Sequence, residues 1–168
     1  MRKTARFTRR FSLSLSIIAA LMPALALVFT ACASGAGASN LQTVKKDEAL
    51  VIPVGEISET AKFYPVTVDG TRMEVVAAKA PDGTIRTAFN TCQVCNGSPK
   101  AYFEQSGTAL QCQNCGNKFP MDRVGIEAGG CNPVPIFDED KTVTEESITV
   151  PYDILQANAY RFPSNWKK

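Results

Sequence analysis

Residues 89–119 read FNTCQVCNGSPKAYFEQSGTALQCQNCGNKF, and this stretch decides how the chain is built. Two Cys-x-x-Cys units, Cys92-Gln93-Val94-Cys95 and Cys112-Gln113-Asn114-Cys115, stand sixteen residues apart. That spacing matches four-thiolate zinc sites and also suits an iron–sulfur centre. Each unit ends a strand-like run and is followed by turn residues, Asn96-Gly97-Ser98-Pro99 in one case and Gly116-Asn117 in the other. Two thiolates from one tight turn reach a common centre, while backbone N–H groups of the turn spread the negative charge of the sulfurs. Residues 101–104 and 109–111 flank Ser106-Gly107 as the arms of a hairpin do, so two loops at neighbouring strand ends are expected to clamp one metal centre.

The 168 residues include six cysteines and no histidine. Two-Cys-two-His fingers, His-ligated haem, His-based zinc catalysis, the Ser-His-Asp triad and the Cys-His protease pair all need an imidazole and are excluded. A structural zinc on Cys92, Cys95, Cys112 and Cys115 is the plainest reading, since it needs four thiolates in a tetrahedron and staples a small core. A disulfide framework suits an exported chain but accounts less well for two Cys-x-x-Cys pairs plus an odd cysteine, Cys131. A thioredoxin-like motif calls for a βαβ setting that neither pair has. Cys131 itself reads either as a small buried residue or free thiol in a turn, or as a residue near the metal that exchanges onto it.

Outward from the cysteines the pattern is β-like. Residues 50–54, 63–68, 72–77 and 85–89 are short runs rich in β-branched and aromatic side chains, and Asp69-Gly70 and Pro81-Asp82-Gly83 stand where tight hairpins join the third run to both neighbours. A closing strand is expected over 147–150 and a short helix over 153–159, with Trp166 capping the barrel. Phe89 and Phe119 are expected to pack in the core, and Asp122-Arg123 to form a local ion pair or turn contact.

The N-terminus reads as an export signal: Arg2, Lys3, Arg6, Arg9 and Arg10 precede an uncharged stretch, residues 11–31, that ends in small residues. Phe29-Thr30-Ala31-Cys32 resembles a bacterial lipobox, which makes Cys32 a lipidation site; the same stretch is also long enough for an uncleaved membrane anchor. Residues 1–31 are thus a signal peptide or anchor, 32–48 a flexible tether that includes an Ala/Ser/Gly run, and 49–168 one metal-binding domain outside the cytoplasm. Removing the five leader cations leaves thirteen basic against sixteen acidic residues. A domain at −3 gives no electrostatic reason to bind nucleic acid.

Three runs together, 89–95, 110–125 and 129–136, closely resemble the FtrD-like membrane iron–sulfur containing domain of bacteria, over roughly residues 50–160. A more distant resemblance is to the cluster-binding half of a Rieske protein, with strands leading to a first ligand loop, a hairpin, a second loop ending in Gly-x-x-Phe, and a Gly/Pro-rich loop. Under that mapping Cys95 and Cys115 occupy the histidine places, residues 129–135 match the proline loop that shields the cluster, and Cys131 lies near the metal without binding it. The resemblances imply a mainly β, Rieske-like small antiparallel sandwich or barrel. They also imply a [2Fe–2S] cluster, non-enzymatic electron transfer and a redox or iron-transport partner in the membrane. The alternative is a Zn2+ module that acts in binding or assembly.

Overall fold

The computed structural model describes residues 40–168, so the leader and Cys32 lie outside the described residues. In chain order the strands are β1 (Gln42–Thr43), β2 (Ala49–Pro53), β3 (Lys62–Val68), β4 (Thr71–Lys79), β5 (Ile85–Cys92), β6 (Phe103–Ser106), β7 (Ala109–Cys112), β8 (Lys118–Pro120), β9 (Pro133–Pro135), β10 (Thr142–Val143) and β11 (Ser147–Pro151). One α-helix, α1 (Tyr152–Asn158), follows. They form a central sheet in the order β1-β3-β4-β5-β9 and two three-stranded sheets, β10-β11-β2 and β6-β7-β8. All pairs are antiparallel except β1 with β3. The mainly β antiparallel architecture expected from the sequence is the one observed.

Alternation along β4 and β5 explains the layering. Successive strand residues point to opposite faces, and here both faces are covered, so residues 73–78 are all buried. Met73, Val75, Ala77 and Phe89 join Leu50, Ile52, Ile148, Val150, Leu155 and Trp166 in the larger core, beneath the β10-β11-β2 sheet. Val76, Ala78 and Ala88 face the other way. They pack with Phe103, Leu110, Phe119, Cys92 and Cys112 in a second core beneath the β6-β7-β8 sheet. One sequence period therefore separates a structural face from a metal-bearing face.

The hairpins fall where the turn residues placed them. Asp69 (φ +47) and Gly70 (φ +79) join β3 to β4, and residues 80–84 join β4 to β5. Trp166 is 4% exposed and meets Phe162 and Tyr102 edge-on, with ring centroids 5.1 and 6.2 Å away. It closes one end of the larger core.

The folded body begins inside the segment read as a tether, because Gln42 and Thr43 pair with β3 and Val44 is buried. A two-residue parallel edge strand has too short a period to be read from sequence. Asp122 and Arg123 share the turn expected of them, in a 3-10 helix over Met121–Arg123, and the ion pair that Arg123 makes is with Glu127, its Nε 2.6 Å from Oε1. Adjacent residues of a helical turn point apart, whereas residues four apart meet.

Gly125 fixes how the third cysteine-bearing loop lies. Its φ is +75°, and a Cβ there would stand 2.6 Å from the backbone oxygen of Thr87 in β5. Only glycine lets residues 121–131 press this closely on the sheet.

Candidate metal centre

Both Cys-x-x-Cys units start on the last residue of a strand, Cys92 of β5 and Cys112 of β7. Even-numbered positions on β5 and β7 face the second core, so both cysteines are buried there. Backbone bonds then wrap the loops. Cys92 N–H donates to Ala101 O (3.0 Å), Cys112 N–H to Asn117 O (2.9 Å) and Gly116 N–H to Cys112 O (2.8 Å). The loops place the remaining thiols at the exposed rim.

Five sulfurs converge. Those of Cys92, Cys95, Cys112 and Cys131 all lie within 4.8 Å of one another. Cys131 Sγ stands 3.2 Å from Cys92 Sγ, 3.9 Å from Cys95 Sγ and 2.7 Å from Cys115 Sγ. Cys115, paired in sequence with Cys112, is exposed and reaches the group through Cys131. Four thiolates bound at about 2.3 Å around one tetrahedral ion stand about 3.8 Å apart, so the donor chemistry and the spacing both fit a thiolate-bound metal.

Burial and contacts divide the thiols. Burial pushes Cys112 up to about 12 and also raises Cys95 and Cys131. The Cys131 thiol and then the Asn117 backbone N–H donate to Cys115 and lower it to about 7. Metal capture must expel protons from the buried thiols, because the thiolate is the ligand.

Amide side chains that the sequence reading passed over tie this site together. Asn90 is fully buried; its Oδ1 accepts the Phe103 N–H (2.8 Å) and its Nδ2 donates to Glu74 (2.7 Å), pinning the metal-bearing hairpin to the central sheet. Glu74 is in turn paired with Lys167 at 2.7 Å. Gln93 Oε1 accepts the Gly129 N–H (2.5 Å), Asn117 Nδ2 donates to Cys131 O (3.0 Å), and Ser98 Oγ donates to Asn114 Oδ1 (2.7 Å), which joins all three loops. The signal was legible as a crowd of Asn and Gln beside the cysteines, residues that form short-range bonds with loop backbone.

The residues that immediately flank the cysteines carry no charge. Residues 92–99, 109–117 and 128–137 contain no Asp, Glu, Lys or Arg. Two apolar side chains on the cysteine-bearing loops are exposed, Val94 at 66% and Ile126 at 52%. Residues 133–135, matched by the Rieske mapping to a shielding loop, form β9 and pair with β5 through a bulge between Phe89 and Cys92.

Among the described residues no helix is long and apolar enough to cross a membrane. No curated protein matches the sequence. Among solved structures, the chain is similar to a quaternary ammonium Rieske monooxygenase, CntA, with a TM-score of 0.40 and 16% identity. That match covers 66% of this chain and 32% of the other, so the chain spans about a third of that enzyme's length. The model of the membrane iron–sulfur containing protein family, FtrD-like, matches residues 57–162, which include all five converging cysteines. The chain belongs to this FtrD-like family.

Proposed function

We propose that the protein is a membrane-tethered, extracytoplasmic electron carrier with an iron–sulfur centre, [2Fe–2S] in form, on Cys92, Cys95, Cys112 and Cys115. The observation that carries this reading is the convergence of thiols at two strand ends, with the outermost exposed. A cluster close to the surface exchanges electrons with a docked partner and needs no substrate cavity. When bound, the cluster supplies the one-electron couple. The chain's own residues hold the thiolates, keep Cys92 and Cys112 away from water, and present Val94 and Ile126 to a partner. The charges on the cysteine-bearing loops, Lys100, Asp122, Arg123 and Glu127, sum to zero, so docking gains little electrostatic steering and depends weakly on salt. A redox or iron-transport protein of the same membrane is the partner class that the family suggests.

Four thiolates make a cluster about two charges more negative than the two-imidazole Rieske type, which disfavours adding an electron. The midpoint potential is expected below about −150 mV, nearer the roughly −400 mV of plant-type ferredoxins. It should not follow an imidazole titration, for the chain has no histidine. Protein-film voltammetry from about pH 6 to 10 checks both expectations. A potential above about −100 mV counts against a four-thiolate cluster.

A second reading has its own observation. The 4.8 Å limit on the Cys92, Cys95, Cys112 and Cys131 sulfurs suits one ion better than two bridged irons, whose thiolate pairs stand further apart. A structural zinc module that binds or presents another component follows from that geometry.

Lipid on Cys32 is the proposed tether, with residues 1–31 removed as the signal. Two or more acyl chains give stable anchoring where one does not. Cys32→Ser is expected to block lipidation and leave metal content unchanged. Intact-mass spectra of the wild type that retain the leader and show no acyl chain would instead assign an uncleaved anchor.

A further inference from the structure

A tetrahedral ion or a [2Fe–2S] cluster takes four thiolates, and five converge here. The fifth thiol is not remote, since Cys115 and Cys131 sulfurs are 2.7 Å apart, about 0.7 Å longer than a disulfide bond. Their loops are already joined by the bond from Asn117 Nδ2 to Cys131 O. Cys115 is exposed and Cys131 partly so, while Cys92 and Cys112 are buried. An external disulfide therefore meets Cys115 first, and the nearest thiol behind it is Cys131.

We propose that Cys115 and Cys131 are a redox-active dithiol whose oxidation excludes the metal, with a disulfide-bearing oxidant as its co-substrate. The inference rests on the metal reading above and adds a switch to the same site. In the first step the Cys115 thiolate attacks one sulfur of the oxidant's disulfide, forms a mixed disulfide and releases one oxidant thiolate. The Cys131 thiolate then attacks the Cys115 sulfur, closing Cys115–Cys131 and releasing the second oxidant thiolate. Two electrons pass from the pair to the oxidant, and the two protons of the pair end on the two released thiols. Only Cys92, Cys95 and Cys112 remain, one thiolate short of either ligand set. Metal binding and the disulfide thus exclude each other, so a chain that reaches an oxidising compartment unloaded must be reduced before it is filled.

The test uses the full-length protein, stripped of metal, reduced, and then exposed to oxidised glutathione. After alkylation and trypsin digestion, mass spectrometry should show residues 101–118 linked to 124–141, with Cys92 and Cys95 alkylated. The link should vanish in Cys115→Ser and in Cys131→Ser, and fragment spectra of the linked wild-type peptides should show Cys112 alkylated. Zn2+ uptake by the oxidised wild type should be lost and should return with dithiothreitol. A link through Cys92, Cys95 or Cys112, a stable glutathione adduct on Cys115, or undiminished Zn2+ uptake by the linked chain would overturn the switch. A reduced chain that takes up neither Zn2+ nor iron overturns the metal reading and the switch with it. Uptake by the reduced chain with no effect of oxidation overturns the switch alone.

Discussion

Cys112→Ser is expected to abolish metal binding and to lower the melting temperature of the domain by a wide margin. Cys112 ends β7, is fully buried, and belongs both to the sequence pairs and to the compact sulfur group. Structural four-thiolate zinc sites contribute on the order of 10–16 kcal/mol in peptides at neutral pH. Whole domains have net stabilities of about 5–15 kcal/mol, so losing the metal is a large loss, which the larger core, holding none of the cysteines, offsets in part. The second core beneath the β6-β7-β8 sheet has few large side chains, and the metal is its natural staple. Metal analysis and circular-dichroism melts of the variant beside chelator-treated wild type check this. A variant with full metal content and an unchanged melting temperature would remove Cys112 from the ligands.

Phe89→Ala should cost about 3–5 kcal/mol, the range for truncating a buried aromatic ring, and lower the melting temperature on the order of 10–20 °C. The ring is fully buried in the larger core and meets Phe162 edge-on with centroids 6.4 Å apart. It therefore faces away from the sulfurs even though it lies three residues from Cys92. Phe89→Leu preserves most of the apolar volume and should cost under about 1.5 kcal/mol, with absorption and midpoint potential unchanged. A large change of potential in that variant, with stability intact, would make Phe89 part of the electron path instead of the packing.

The strands legible in the sequence were short runs rich in β-branched and aromatic residues with turn chemistry between them. β3, β4 and β5 are such runs, joined by Asp69-Gly70 and Pro81-Asp82-Gly83. β9 is Pro133-Val134-Pro135, a composition that normally argues against a strand; it survives as an edge pairing with β5 through a bulge. β8 and β10 are three and two residues long, too short to show alternation. At the site, spacing brought out Cys92, Cys95, Cys112 and Cys115, because paired residues in one turn are a local signal. Cys131 entering the sulfur group depends on Gly125 pressing against Thr87 and on Asn117 and Gln93 holding the third loop. Those are tertiary contacts between segments tens of residues apart, and nothing in the local pattern of 121–131 encodes them.

Composition tests most directly whether these thiolates hold an iron–sulfur centre. Protein exported in its own host and purified without oxygen should be brown, with sulfur-to-iron charge-transfer bands and iron and acid-labile sulfide in equal amounts. Colourless protein carrying stoichiometric zinc, or no metal at all, would contradict the account.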